Sequence, residues 1–317
     1  MFTSLFLLSL LTLVELNCEN LFDYKHDSLK NDVEYLPDAP RRWNAYKYWQ
    51  KINNISKCIL ACKEGIDGSA VPDVVALCEV ENDSVMRDLT RRSLLRNAGY
   101  EYVMTNSNDI RGIDVALMYQ PLAFEMLNYR ALRVDDVGSH GPMRDILYVC
   151  GRVSPRDTLH IFVVHAPSRY GGEKASRQYR LSVAAKAGEG IDSVRRVSPD
   201  AKIIVLGDFN AYSGNKSMER YASFGLTDVT AGVKGRNGAK ATYKYKGQWE
   251  SLDHILVSQS FETAFVEAHI GDAPFLIEGD DVYGGVKPRR TYVGYKYVRT
   301  GTSDHLPLVA TFMIGDD

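Results

Sequence analysis

Short apolar runs that close on a residue able to hold a metal ion or a phosphate recur along this chain, and that recurrence limits the architectures open to it. Leu13-Val14-Glu15-Leu16 runs into Asn17, Val74-Val75-Ala76-Leu77-Cys78 into Glu79, and Ile161-Phe162-Val163-Val164 into His165. Ile203-Ile204-Val205-Leu206-Gly207 runs into Asp208-Phe209-Asn210. Two variants follow: Leu252-Asp253-His254-Ile255-Leu256-Val257 carries its acid inside the run, and Ser303-Asp304-His305 precedes the apolar stretch from Leu306 to Phe312. Runs of this length rich in Val, Ile and Leu read as buried strands. Polar residues at their tips then converge on one sheet edge, where a rigid scaffold can present a reactive site.

The chain of 317 residues is long enough for one large domain or two ordinary ones, and its 45% hydrophobic content supplies a sizeable core. A net charge of -2 excludes a global positive field that would gather nucleic acid, so a polyanion must be met by a local basic patch or a metal. The five cysteines (Cys18, Cys58, Cys62, Cys78 and Cys150) are odd in number and scattered, which reads as free or buried thiols rather than a disulfide framework. Met1 to Val14 is almost wholly apolar. It permits export or membrane association, but it lacks a basic residue ahead of it and a small-residue cleavage site, and it is short for a span of about 20 residues. Its last part is needed as the first strand, so we divide the chain into an apolar leader over 1–10 and one domain over 11–317.

Strand patterns fall near 11–17, 74–79, 101–105, 113–119, 145–152, 159–165, 202–207, 252–257 and 307–313. Helical spacing marks Tyr48 to Lys63 and Glu173 to Val197, with a third helix over Ser84 to Ala98. Many strands separated by a few helices predict sheets stacked face to face with helices outside. Segments 24–46 and 271–302 read as long irregular loops, uncommon unless functional.

Taken in order, the motifs around Asn17, Glu79, Arg111-Gly112-Ile113-Asp114, His165-Ala166-Pro167-Ser168-Arg169, Gly207-Asp208-Phe209-Asn210, Asp253-His254 and Ser303-Asp304-His305-Leu306-Pro307 carry a resemblance. The chain resembles the endonuclease/exonuclease/phosphatase superfamily of DNase I-like metal-dependent phosphoesterases over roughly residues 11–313. The resemblance implies an α/β fold, a four-layer α/β/β/α sandwich of two packed mixed sheets with outer helices. It also implies Mg²⁺, or Mn²⁺ in its place, and hydrolysis of a phosphoester. The chemistry makes the same demand: a phosphodiester repels an anionic nucleophile, so its site needs a cation, a base for water and donors for the developing charge.

Position by position, the resemblance implies Asn17, Glu79 and Asp304 as metal residues. Asp208 orients or deprotonates the attacking water, and Asn210 donates to the phosphate or holds Asp208. His305 contacts the phosphate or moves a proton, with Asp253 fixing its ring. The base is either Asp208 or His305. His165 matches a second histidine of the nuclease branch; where that branch pairs it with a glutamate this chain has none, and Asp114 is the nearest acid. Arg111, Arg144, Arg169, Arg289 and Arg290 are the candidate substrate-binding residues.

Ordinary readings stand beside these. Glu81 reads as a surface acid, Glu19 as loop structure and His254 as packing on the opposite face of its strand. The tract from Val282 to Thr302 holds Lys287, Arg289, Arg290, Lys296 and Arg299 among Tyr292, Tyr295 and Tyr297, a composition that suits phosphates and stacked rings or merely a solvated hairpin. The expected function is a Mg²⁺-dependent phosphodiesterase, endonuclease-like, with a phosphoester substrate that includes nucleic acid. The alternatives are a phosphatase or phospholipase C-type hydrolase acting on inositol phosphates or sphingomyelin-like head groups, and an inactive family member serving as a binding module. Nothing in the sequence calls for an obligate protein partner, and a monomer is expected.

Overall fold

A computed structural model describes residues 9–63, 71–135, 141–155 and 157–315. The strands in chain order are β1 (Ser9–Leu21), β2 (Val74–Val80), β3 (Glu101–Met104), β4 (Asp114–Tyr119), β5 (Glu125–Leu132), β6 (Ile146–Arg152), β7 (Thr158–His165), β8 (Lys202–Asp208) and β9 (Leu226–Asp228). They continue with β10 (Tyr243–Tyr245), β11 (Gln248–Glu250), β12 (Asp253–Ser258), β13 (Phe265–Ile270), β14 (Ile277–Gly279), β15 (Val286–Pro288), β16 (Tyr292–Val293), β17 (Lys296–Tyr297) and β18 (Leu308–Ile314). The helices are α1 (Ala45–Ala61), α2 (Asp83–Arg91), α3 (Glu173–Val197), α4 (Lys216–Ala222) and α5 (Gln259–Glu262).

Twelve of the strands form two six-stranded sheets, ordered β13-β18-β1-β2-β4-β3 and β5-β6-β7-β8-β12-β9. Each is mixed: β1 pairs β2 in parallel and β7 pairs β8 in parallel, with antiparallel neighbours on either side. The remaining strands make three hairpins, β10-β11, β14-β15 and β16-β17.

Period-two alternation sorts the second sheet's residues between two cores. Leu159, Ile161 and Val163 of β7, Ile204 and Leu206 of β8, and Ile255 and Val257 of β12 are buried with the first sheet and α1. Phe162, Val164, Ile203, Val205 and Leu256 point the other way, into a cluster with Val183, Ala184, Ala187 and Ile191 of α3 and Met218 of α4. The result is the α/β/β/α sandwich. Carried one step further along each strand, the same alternation aims His165, Asp208 and Asp253 between the sheets and His254 away from them.

The helices cover the outer faces for local reasons. Asn44 caps α1 by accepting from Lys47 N, and Tyr48, Ile52, Ile55 and Ile59 recur along its buried face. Each such aliphatic contributes about 1.5–3 kcal/mol by leaving water. Asn82 caps α2 by accepting from Val85 N; that helix ends at Arg91, and the residues up to Ala98, expected to be helical, form turns. Glu173 to Val197 is the helix the spacing predicts.

Other expectations shift. β1 takes in Ser9 and Leu10, which pair with Ile314 and Met313, although both fall in the stretch assigned to the leader; residues 1–8 lie outside the described residues. Segment 271–302 is not irregular throughout, since it holds the β14-β15 and β16-β17 hairpins. Before α1 begins at Ala45, segment 24–46 has only the 3-10 turn Val33–Tyr35 as regular structure. The five cysteines are free, all but Cys150 buried. No helix among the described residues is long and apolar enough to cross a membrane.

Candidate active site

Strand register assembles the first part of the site. Parallel pairing of β7 with β8 sets His165 opposite Asp208, and antiparallel pairing of β8 with β12 sets Asp253 opposite Asp208. Close approach of β7 and β8 depends on Gly207: a Cβ there would lie 1.9 Å from the Val164 carbonyl oxygen, and its φ of +139° lies where side chains are disfavoured.

From the first sheet, β1 and β2 bring Asn17 and Glu79. Asn17 Nδ2 donates to Asp208 Oδ2 at 3.0 Å across the sandwich, while its Oδ1 accepts from Glu19 N at 2.9 Å. Glu79 Oε2 accepts from Asn20 N at 2.7 Å. The β1-β2 ladder shifts register between Asn17 and Leu21, and the β2-β4 ladder between Cys78 and Val80. Glu19, Asn20, Glu79 and Asn210 all take positive φ, four of the six non-glycine residues that do so among the described residues. That concentration of bulged, left-handed backbone re-aims side chains at the sheet edge, as bulges at functional edges do.

The loop before β18 supplies Asp304 and His305. His305 Nδ1 bonds Asp253 Oδ2 at 2.8 Å, an oxygen that also accepts from Thr242 Oγ1. The Tyr243 ring packs on the imidazole with centroids 4.8 Å apart. Asp304 Oδ2 receives Arg290 Nη2 at 2.7 Å.

These residues converge. Asn17, Glu79, His165, Asp208, Asn210, Asp304 and His305 line one cavity of about 820 Å³, with Asp253 buried behind His305. The arginines divide. Arg111 lines the cavity and lies 3.7 Å from Glu79 Oε1. Arg169 lines it too, 3.7 Å from Glu250 and stacked over Tyr212 at 4.2 Å. Arg144 also borders it, but its guanidinium is spent on the His165 and Ala166 carbonyls and on Asp109, so it braces the loop after β7 instead of presenting free donors to a phosphate. Arg290 stands behind Asp304, held also by Glu19. Arg289 is not brought here: it bonds the Ile277 carbonyl and faces Glu278 across its hairpin.

Two more residues of the basic and aromatic tract are likewise engaged. Lys287 faces Glu278, and Tyr292 is buried against Trp43 with its hydroxyl on the Arg41 carbonyl. Asp114 does not serve His165; it accepts from Thr105 Oγ1 and Ser107 N. His165 Nε2 instead lies 3.7 Å from Asp208 and 3.8 Å from Glu79, and its Nδ1 is buried without a partner among the described residues. Glu81 is no surface acid: it is buried and accepts from Asp23 N at 2.6 Å. Glu19 does more than shape a loop, because it accepts from Thr291 N and joins the buried Lys51 to Arg290. His254 packs on the outer face against Phe209, with Nδ1 on Asp228 and Nε2 on the Ala211 carbonyl.

Electrostatics separate the titratable groups. Burial, then the Asp253 carboxylate, pushes Asp208 up to about 7, while hydrogen bonds from Asn210 and Asn17 pull against that rise. For His305, burial alone would lower its pKa, but Asp253, Asp208 and Asp304 outweigh it and hold the imidazole well above its ordinary value. His165 goes the other way, held well below that value by burial and then by Arg144 and Arg111. One acid escaped the sequence reading. Glu15 points between the sheets from β1, fully buried, and burial followed by Asp253 and Asp208 raises it far above the carboxylate range. Its signal was the one that marked Asp253, an acid inside an apolar run.

Known proteins share this fold. An endonuclease/exonuclease/phosphatase family protein from Bacteroides thetaiotaomicron superposes with a TM-score of 0.62 at 15% identity, over 97% of this chain and 98% of that one. The mannosyl-6-phosphatase of the same organism gives 0.61 at 17%, over 96% and 99%. Truncated TDP2 from Caenorhabditis elegans gives 0.58 at 14%, over 96% and 98%. No curated protein matches the sequence. The profile of the Endonuclease/Exonuclease/phosphatase family matches residues 12–313, nearly the whole length, and the chain belongs to that family.

Proposed function

We propose that this chain hydrolyses phosphoester bonds with the help of a divalent cation, Mg²⁺ in the first place and Mn²⁺ as its substitute. One observation carries the reading. Six carboxylates (Glu79, Asp109, Glu173, Asp208, Glu250 and Asp304) line the cavity against three guanidiniums, with the two histidines between them. Arg177 and Arg180 offset Glu173, and Arg144 offsets Asp109, but a phosphate entering beside Glu79, Asp208 and Asp304 is repelled unless a cation precedes it.

The donor set fits a hard cation. Glu79, Asp304 and the side-chain oxygen of Asn17 are oxygen ligands at the cavity wall, which is what Mg²⁺ takes. Asp208, Asp253 and His305 also bring ligand atoms within 4.8 Å of one another. There, however, His305 Nδ1 and Asp253 Oδ2 are engaged with each other, so we assign that group to proton handling. Bound at the Glu79 side, the cation would neutralise the phosphate and polarise it toward attack.

The protein's own groups do the rest. Asp208, pushed up to about 7, is poised near neutrality as a base for water, a match between pKa and working pH that favours proton transfer. Asn210 Nδ2 donates to Asp208 Oδ2 and to the Ala166 carbonyl, so of its two expected roles the one supported is holding Asp208. His305, oriented by Asp253, carries its proton on the face that meets the phosphate and can pass it to the departing oxygen. The similar fold of a mannosyl-6-phosphatase agrees with phosphoester chemistry at this edge.

The endonuclease-like version of this reading draws on His165, which lines the cavity as a second histidine. The test is phosphate or nitrophenol release from p-nitrophenyl phosphate and bis(p-nitrophenyl) phosphate, and nicking of supercoiled plasmid, with Mg²⁺ and then with chelator. We expect metal-dependent turnover on at least one of them, lost about 10³-fold in Asp208→Ala. Turnover that survives chelation, or full activity in Asp208→Ala, would refute the assignment.

A further inference from the structure

Asp304 and His305 are held differently from the other groups of the site. His165, Asp208 and Asp253 are fixed by strand register, whereas Asp304 and His305 come from the loop between β17 and β18. A side chain on a loop is aimed only as well as the loop is anchored. Two residues of α1, one turn apart, anchor this one. Asn54 Nδ2 donates to the carbonyls of Arg299 at 3.0 Å and Gly301 at 2.8 Å. Lys51 Nζ donates to the Thr302 carbonyl at 2.7 Å, to the Glu19 carbonyl at 3.1 Å and to Thr291 Oγ1. Next to these contacts, Ser303 Oγ donates to the Asn17 carbonyl at 2.6 Å and accepts from His305 N at 3.1 Å.

A lysine is a costly brace. Lys51 is only 1% exposed, and a buried charge is unfavourable unless it is paired, while an apolar side chain of similar volume would pack there without that cost. Its three protons all go to the protein, so none is left for a substrate. What the charge faces gives it a use. Glu19 Oε2 lies 3.7 Å from Lys51 Nζ and accepts from Thr291 N at 2.6 Å, and Glu19 Oε1 accepts from Arg290 Nε at 3.3 Å. Arg290 Nη2 in turn donates to Asp304 Oδ2 at 2.7 Å. Lys51, Glu19, Arg290 and Asp304 thus alternate in charge from the helix to the cavity wall. The guanidinium takes one oxygen of Asp304, and the other has no hydrogen bond among the described residues.

We infer that Lys51, Glu19 and Arg290 are positioning residues that set Asp304 to bind the divalent cation, Lys51 acting through the Thr302 carbonyl and through Glu19. This rests on the reading above in placing a cation beside Asp304. It assigns Arg290 to the protein's own carboxylate and not to the substrate. Groups behind a ligand that fix its orientation contribute about 10- to 100-fold to metal affinity.

The test measures Mg²⁺ binding without substrate by titration calorimetry, beside kcat and KM for p-nitrophenyl phosphate and urea unfolding. The variants are Arg290→Gln, Arg290→Lys and the double change Lys51→Met with Glu19→Gln. The double change removes both charges of the pair at nearly constant shape, because losing the lysine alone would strip the carboxylate of a partner. Arg290 is partly exposed, so its variants keep the fold even if the double variant does not, and Arg290→Gln then decides alone. We expect Mg²⁺ to bind about 10-fold more weakly in Arg290→Gln and in the double variant, with kcat at limiting Mg²⁺ falling in step and KM for the ester held within about twofold. Arg290→Lys, which keeps the charge but not the planar fork, should recover only part of the loss. Wild-type Mg²⁺ affinity in the folded variants would overturn the inference and leave a structural brace. A raised KM with unchanged Mg²⁺ affinity would overturn it too, by making Arg290 a substrate ligand. Should wild type bind Mg²⁺ and hydrolyse no phosphoester, with the same weakening in Arg290→Gln, the phosphoester reading falls and this inference stands. If wild type binds no Mg²⁺, both fall.

Discussion

His305 Nδ1 lies 2.8 Å from Asp253 Oδ2, two residues 52 positions apart that meet only because β12 and the loop before β18 end at the same edge. The bond fixes which ring nitrogen is left for the cavity, and the carboxylate stabilises the charged ring. Replacing the acid by its amide keeps the shape and removes that charge. Asp253→Asn should therefore lower kcat about 100-fold. It should also move the high-pH limb of the rate profile to lower pH, because His305 is held above its usual value by Asp253 among others and the reaction needs its proton. A variant with wild-type kcat and an unmoved limb would show that the pair is structural.

Glu79, next to the last residue of β2, takes a left-handed conformation that its side chain does not favour. The strain is repaid if the carboxylate must face the cavity. Glu79→Gln keeps an oxygen for the Asn20 amide but removes the charge a cation needs. We expect the Mg²⁺ concentration for half-maximal rate to rise about 10- to 100-fold, with a parallel weakening in titration calorimetry. An identical metal requirement would exclude Glu79 from the metal site.

Glu81 gives a pH-dependent stability of definite sign. Burial first, and then Asp23, pushes it up to about 8, against 4.5 for a free side chain. Between those two values the folded protein binds a proton that the unfolded chain has released, so stability falls as pH rises from about 5 to about 8. Glu81→Gln retains an acceptor for Asp23 N and abolishes the ionisation. The variant should match wild type near pH 5 and exceed it by about 2 kcal/mol at pH 8.5 in urea unfolding. A stability difference independent of pH would contradict this.

The strand tips were legible because a buried strand needs an apolar run and a site needs polar ends, and both are written locally. Alternation then decides direction, which is why Asp208 and Asp253 face inward and His254 does not. The edge strands β5 and β13 left no such mark: Glu125–Leu132 is mostly exposed and Phe265–Ile270 only half covered, so neither needs an apolar run. Partners were less legible than positions. Asp114 is near His165 in motif order, yet it lies on β4 of the other sheet and is used by Thr105 and Ser107. Arg289 and Arg290 are neighbours in sequence, but the backbone sends one to Glu278 and the other to Asp304. Those outcomes depend on long-range packing that no local pattern encodes.

Glu15 is where that packing leaves an unmet demand. Its side chain is wholly buried in β1, and neither carboxyl oxygen has a hydrogen-bond partner among the described residues. The Cys78 thiol beside it donates to the Val164 carbonyl at 3.5 Å. Burial and then the neighbouring Asp253 and Asp208 carboxylates keep the group protonated, so the cost is that of a buried polar group rather than of a buried charge. A leucine of similar volume removes that cost, and Glu15→Leu should gain about 1–3 kcal/mol in urea unfolding at neutral pH. Glu15→Gln, which keeps the polar atoms, should gain much less. If leucine instead destabilises the fold, the carboxyl is satisfied in solution and belongs to the working parts of the site rather than to its unrelieved strain.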